Sequence, residues 1–383
     1  MSVAIETSSV RITCFLREGA PLSRGDSRGR CEAPDFGRRY RRFFIRSGNS
    51  RRSVPLFIFD RAATAKDKPM RAVLCREWGD PESLVIGDVP SRPLAPDEVR
   101  IRVRASGVNF ADTLQIAGKY QVRPPFPFTP GLEVAGEIAG VGEAVHGLKP
   151  GTRVMAPTHG NAFAEEVIVP AVAAVPIPAA MDYTTAAAFP VAYGTSHWAL
   201  AERGALCRGE TLLVLGAAGG VGLTAVEIGK AMGARVIAAA GSPEKLAIAR
   251  AHGADDLIDY ARESVRDRVR ALTGGLGADV VFDPVGGDAF DQAIRAVNWK
   301  ARMLVVGFAA GRIQAVPANL VLVKNISIVG VAWGLEGERD AGVISTQLVE
   351  LLRWWEAGKL KPRIARTYPL AETAAAMRAL LSR

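Results

Sequence analysis

The stretch Thr211-Leu-Leu-Val-Leu-Gly-Ala-Ala-Gly-Gly-Val-Gly222 decides the fold. Its first five residues read as a buried β-strand, the glycines as a tight turn, and Leu223 to Met232 as an amphipathic helix. Strand, glycine turn and helix start together form the geometry that receives a dinucleotide pyrophosphate. Free N–H groups at the helix N-terminus face the anion, and the helix dipole favours negative charge there. Gly219, Gly220 and Gly222, with Val221 between them, let the backbone approach the phosphates with no Cβ in the way. Ala217 replaces the first glycine of the usual G-x-G-x-x-G. A glycine turn before a helix can also be plain packing, so the flanking pattern must decide.

That pattern is regular. Ala234 to Ala240 is a second apolar run, followed by a helix from Pro243 to His252 with Ser242 as N-cap and Pro243 at its first position. Leu257-Ile258 is a short third strand, Glu263 to Leu272 a charged helix, and Ala278 to Asp283 a fourth strand. Met303 to Gly307 and Ile326 to Val331 are the fifth and sixth. Apolar strands alternating with helix-length links predict a parallel sheet covered on both faces. Six of them make two mononucleotide halves, so residues 195–335 are expected to be a Rossmann domain.

A Rossmann domain that prefers NAD usually ends its second strand in Asp or Glu, which holds the ribose 2′-OH. Here that place is Gly241-Ser242. Without a carboxylate there is no repulsion toward a 2′-phosphate; Ser242 can donate to it, Lys245 can supply charge, and Tyr260 can complete the pocket. NADPH is therefore the expected cofactor. Ser242 also reads as a plain helix cap, and Lys245 as a solvated charge.

The chain has 383 residues, 49% hydrophobic and 23% charged, enough for two domains and ordinary for a globular enzyme. No apolar run approaches the ~20 residues that span a membrane. Cys14, Cys31, Cys75 and Cys207 are scattered with no C-x-x-C, which suggests a reducing, cytoplasmic location. The net charge of +9 sits mainly in residues 1–69, which hold 15 Lys+Arg against 7 Asp+Glu. Three readings compete for this Arg- and Ser-rich segment: sequence upstream of a true start at Met70, an organellar transit peptide, or a basic arm for nucleic acid. In each it is expected to be disordered. The near-neutral body makes nucleic acid an unexpected partner.

From Met70 the texture changes. Arg71 to Cys75 is a strand, and Glu98 to Ala105 alternates strictly between apolar and polar residues, as a half-buried antiparallel strand does. Val134 to Gly142, Arg153 to Met155 and Phe163 to Val169 continue the β pattern. A small β-barrel-like domain over 70–194 is expected, with 336–383 returning to it after the Rossmann unit. The fold class is thus α/β, a Rossmann domain plus a β-barrel-type catalytic domain behind a disordered basic extension.

This order, with Gly107-Val-Asn-Phe-Ala-Asp112, Pro130-Gly-Leu-Glu-Val-Ala-Gly136, Phe189-Pro-Val-Ala-Tyr-Gly-Thr195, Asp283-Pro-Val-Gly286 and Gly307-Phe-Ala-Ala-Gly311, resembles the medium-chain dehydrogenase/reductase superfamily. Within it the chain is similar to the zinc-independent quinone oxidoreductase (zeta-crystallin-like) family, over residues 70–383. The resemblance implies a GroES-like catalytic domain, hydride transfer from NADPH to a quinone, and a homodimer through the Rossmann edge strand. It implies Asn109 and Tyr120 flanking the substrate slot, with Thr195 and Phe308 at the cofactor. Asn109-x-x-Asp112 reads equally as a helix cap. Phe308 also reads as ordinary core, and Tyr120 as an exposed loop residue.

Three departures stand out. Glu227 replaces the family's usual Gln, and Leu114 stands where many relatives carry Tyr. The chain also stops at Arg383, before the strand that usually closes the catalytic domain, which would leave a sheet edge open. At the positions that correspond to zinc ligands in related alcohol dehydrogenases stand Asn109 and Leu132, so no metal is expected. His146, His159, His197 and His252 read as surface or packing residues. The rivals to quinone reduction are reduction of an enone or enoyl-thioester double bond, and an NADPH-holding structural or RNA-binding protein supported only by the basic segment.

Overall fold

The computed structural model describes residues 2–6 and 69–382. Eight strands come first: β1 (Ser2–Glu6), β2 (Met70–Leu74), β3 (Val85–Val89), β4 (Glu98–Val108), β5 (Glu133–Val141), β6 (Arg153–Pro157), β7 (Glu166–Pro170) and β8 (Val175–Pro176). Helix α1 (Phe110–Ile116) leaves the end of β4, and α2 (Tyr183–Ala187) and α3 (Pro190–His197) lead onward. Strands β9 (Thr211–Leu215), β10 (Arg235–Ala240), β11 (Asp256–Asp259), β12 (Ala278–Asp283), β13 (Val297–Val305) and β14 (Ser327–Gly330) then alternate with α4 (Gly220–Ala231), α5 (Pro243–Ala251), α6 (Val265–Leu272), α7 (Gly287–Ala293) and α8 (Ala318–Lys324). Helices α9 (Trp333–Arg339) and α10 (Ala341–Glu356), strand β15 (Ile364–Pro369) and helix α11 (Thr373–Leu381) follow.

The second group forms one parallel sheet in the order β11-β10-β9-β12-β13-β14. This is the doubly wound arrangement with its switch point between β9 and β12, where ligands bind beyond the strands' carboxyl ends. Leu212, Leu213, Val214 and Leu215 are fully buried. Burial on both faces is why these strands read as unbroken apolar runs. Each such side chain stabilises the fold by roughly 1.5–3 kcal/mol.

The other large sheet runs β15-β1-β4-β5-β6-β8, with β7 also on β4. The alternation in β4 holds through Ala105 and then stops: Ser106, Gly107 and Val108 are all buried. One edge of β4 is shared. Glu98 to Arg102 pair with β7, and Ala105 to Val108 pair with β1. Strand β1 also pairs in parallel with β15.

Ser2–Glu6 lies between β15 and β4, and β15 ends the sheet with its outer edge unpaired among the described residues. These five residues are a strand; the expectation of disorder for the rest of the basic segment lies outside the described residues. So do Cys14 and Cys31. No helix among the described residues is long and apolar enough to cross a membrane.

Candidate active site

Helix α4 begins at Gly220 with Gly219 as its N-cap, so Gly219, Gly220, Val221 and Gly222 form the opening turn at the carboxyl end of β9. The opening N–H groups of a helix have no carbonyl one turn behind them and face outward as anion donors. A Cβ on Gly222 would sit 2.2 Å from the Gly216 carbonyl oxygen, so only glycine brings helix and strand this close. Gly216 adopts the left-handed φ of +61° that makes the turn. The tight glycine thus lies one residue before Ala217, which explains how alanine holds the first motif position.

Helix α3 braces this turn. Ser196 Oγ donates to the Val221 carbonyl at 2.7 Å and meets Thr224 Oγ1 at 2.8 Å. Thr195, the residue before Ser196, is half-buried on the same helix. At the ends of β10 and β11 the expected 2′-phosphate residues come together. Ser242 caps α5, its Oγ accepting from Lys245 N–H at 3.4 Å, and Tyr260 packs on Gly241, where a Cβ would meet its ring at 2.9 Å. Phe308 is half-buried in a turn beyond β13. That turn is tied to the loop after β12 by Ala309 N–H to Pro284 O at 3.0 Å and Ala310 N–H to Val285 O at 2.9 Å. Buried Asp283 shapes the loop, its Oδ1 accepting from Val285 and Gly286 N–H, both at 2.8 Å.

The catalytic candidates stand at the end of β4. Asn109 is the N-cap of α1 and pairs with Asp112 as a capping box, whose short bond runs from Asn109 N–H to Asp112 Oδ2 at 2.7 Å. Asn109 Nδ2 donates to Glu133 Oε1 at 2.7 Å, and Glu133 Oε2 accepts from Val191 N–H, in the first turn of α3, at 2.8 Å. Helix α3 therefore touches the Asn109 cluster at its start and the glycine turn at its end. Gly107 makes room for this: a Cβ there would lie 2.1 Å from Glu133 Oε1.

Both carboxyl groups are buried, Asp112 at 0% exposure and Glu133 at 2%. Desolvation disfavours their charged forms. Burial pushes Asp112 up to about 8, against N–H bonds from Asn109 and Gly131, with the Glu133 charge adding to the rise. Burial likewise pushes Glu133 up to about 7, against its bonds from Val191 and Asn109. Asp112 Oδ1 makes no hydrogen bond to a protein atom. Tyr120 is half-buried rather than exposed. Desolvation raises its phenol, helped by Asp112 and by Glu338 of α9.

Glu133 and Asp112 are the residues that the sequence reading passed over as site members. Their signal was present as a Glu inside the apolar run Leu132 to Ala135 and a glycine two residues before Asn109. One histidine also differs from expectation. His252 pairs at 2.6 Å with buried Glu227, which also accepts from Tyr193 Oη at 2.6 Å and from Lys361 N–H at 3.1 Å. His197 is a buried packing residue, pushed down to about 4 by desolvation. Among the described residues no three His, Cys, Asp or Glu side chains gather as a metal site.

The sequence pattern of the alcohol dehydrogenase GroES-like domain matches residues 95–179, and that of the zinc-binding dehydrogenase matches residues 220–348. The quinone oxidoreductase-like protein 2 homolog of Nematostella vectensis is 40% identical over 320 residues, 82% of this chain and 87% of that protein. The chain belongs to the quinone oxidoreductase family of medium-chain dehydrogenases/reductases. It is an oxidoreductase of the zinc-independent type, built on a fold that binds a nicotinamide dinucleotide. The crystal structure of Escherichia coli quinone oxidoreductase complexed with NADPH superposes with a TM-score of 0.76 at 28% identity, covering 82% of this chain and 96% of that one. The CurK enoyl reductase superposes with a TM-score of 0.75 at 26% identity, over 82% and 96%.

Proposed function

We propose that this protein reduces quinones with NADPH, using no metal. The observation that carries the reading is the Asn109 carboxamide, placed where zinc enzymes of this fold need a thiolate and held there by hydrogen bonds at its base. An acceptor reduced here must delocalise the incoming charge itself, which quinones do.

The residues fit NADPH. Its pyrophosphate suits the N-terminal turn of α4, and its 2′-phosphate suits Ser242, Lys245 and Tyr260, where no carboxylate of β10 opposes it. Bound there, NADPH supplies a hydride. Asn109 then offers an N–H to the acceptor oxygen as negative charge develops. Tyr120 covers a flat substrate with its ring and offers its hydroxyl as a donor. Phe308 and Thr195 line the nicotinamide side. A hydroquinone anion takes its proton from water.

The second reading is reduction of an enone or enoyl-thioester double bond, in which the carbon next to the carbonyl must gain a proton. The buried acid Asp112, held near 8, favours it, as does the likeness to an enoyl reductase. The full chain mixed with NADPH and either benzoquinone, phenanthrenequinone or an enone tests both. Quinone turnover supports the first reading, enone turnover alone the second, and no oxidation of NADPH refutes both.

A homodimer fits the other edge of the molecule. Strand β14 ends the parallel sheet with an edge unpaired among the described residues, and in α8, which precedes it, Leu322 and Val323 are 79% and 63% exposed. A second copy extending the sheet would cover them. Neither Cys75 nor Cys207 forms a disulfide among the described residues, which suits a reducing cytoplasm.

A further inference from the structure

We propose that Glu133 is a positioning residue, whose acceptor-only carboxylate fixes which face of the Asn109 carboxamide meets the substrate. This deepens the quinone reductase reading and rests on the placement of Asn109 at the acceptor.

Val191 N–H belongs to the backbone of α3 and cannot turn away, so Glu133 Oε2 must accept from it. Oε1 accepts at 2.7 Å, and in the ionised form, which this bond and the Val191 bond favour against burial, it has no hydrogen to give, so Asn109 has to present its nitrogen there. The Asn109 oxygen then faces the N–H of Asp112 in the capping box, an N–H that also donates to the Asn109 main-chain carbonyl at 3.0 Å. One polar group of the side chain remains, the second N–H on Nδ2, and it is a donor suited to a carbonyl oxygen gaining charge. Gly107 admits the Glu133 carboxylate to this corner, since any side chain there would collide with it.

Glutamine at position 133 has the same shape and the opposite logic. Its carbonyl must take the Val191 N–H, which turns its NH2 toward Asn109. Asn109 then has to present its oxygen, and its nitrogen swings against the Asp112 N–H, donor to donor. Buried, mismatched donors are costly, and misplacing a catalytic group lowers the rate.

The test compares the parent with Glu133→Gln and with Glu133→Gln/Asn109→Asp, all as full chains. The double variant restores complementarity, because the introduced amide at position 133 donates to the introduced carboxylate at position 109, yet it offers the substrate no donor. Glu133→Gln is expected to lose kcat with a quinone on the order of ten- to a hundredfold, while NADPH affinity stays within about twofold. The double variant is expected to recover the parent's Tm but not its turnover. Parent-like turnover in either variant overturns the proposal. Selective 15N-asparagine labelling reads the clamp without any turnover. The Asn109 side-chain N–H is expected far downfield in the parent and shifted back in Glu133→Gln; an unchanged resonance overturns the proposal. A parent that binds NADPH and reduces no quinone would instead refute the functional reading, with the resonance still deciding the clamp.

Discussion

Lys245 and Asp112 give the sharpest tests at the scale of single residues. Lys245 stands in the first turn of α5, its N–H held by the cap residue Ser242. If it pairs with a 2′-phosphate, Lys245→Ala should raise KM for NADPH by about tenfold, the weight of one charge-assisted hydrogen bond, and leave KM for NADH unchanged. Equal effects on both cofactors would place Lys245 outside the phosphate site. Asp112 tests the electrostatics. Its carboxyl titrates at 3.8 when unperturbed and about 8 in the fold, so the folded state holds the extra proton. The corresponding stability is full below pH 4 and is lost as pH rises toward 8. In Asp112→Asn, Tm should fall less than in the parent between pH 5 and pH 8; parallel curves would show that Asp112 is not the buried acid described. At this scale the sequence displayed the glycine turn and the missing carboxylate plainly, because both are local. The joining of Gly107, Asn109 and Asp112 with Glu133 into one cluster was hidden, since β4 and β5 bring together residues more than twenty positions apart.

Among the elements, β1 differs most from expectation. Ser2–Glu6 supplies the backbone partner of Ala105 to Val108, the segment that ends in Asn109. A protein begun at Met70 should therefore melt several degrees lower, since a lost strand pairing of about 1–2 kcal/mol moves Tm by a few degrees per kcal/mol in a protein this large. Hydrogen exchange should quicken at Ala105 to Val108. Unchanged protection there would mean that β1 does not hold this edge. The Rossmann strands were legible because each lies between its own turn signals. Strand β1 was not, because five residues carry too short a period, and both partners lie about a hundred or more positions away. Helix α4 starts three residues earlier than its amphipathic pattern, inside the glycines, where there are no side chains to show a period. The Glu227 cluster is a second test at this scale. It joins α3, α4, the end of α5 and the tail at Lys361, so Glu227→Ala should cost about 3 kcal/mol by leaving several buried donors unmatched. Chemical denaturation measures this, and a loss under ~1 kcal/mol would make the cluster peripheral.

For the whole molecule, α3 is the link that lets two sheets act on one reaction. Its first turn holds Glu133 and its last turn braces the pyrophosphate turn. Its role could not be read from the sequence, where Phe189 to Thr195 signals only a family resemblance. The exposed apolar edge beside β14 carries a prediction of its own: Leu322→Asp/Val323→Asp should convert a dimer to a monomer in light scattering, while a parent that is already monomeric would contradict that assembly. The central claim is that an NADPH site and a metal-free carboxamide site serve one hydride transfer. The most direct test is NADPH consumption by the full chain with a quinone, measured for the parent and for Asn109→Ala in the presence of a chelator. The expected result is quinone-dependent oxidation that the chelator leaves untouched, faster with NADPH than with NADH, and at least about tenfold slower in Asn109→Ala. Loss of the parent's activity to the chelator, or full activity in Asn109→Ala, would contradict it.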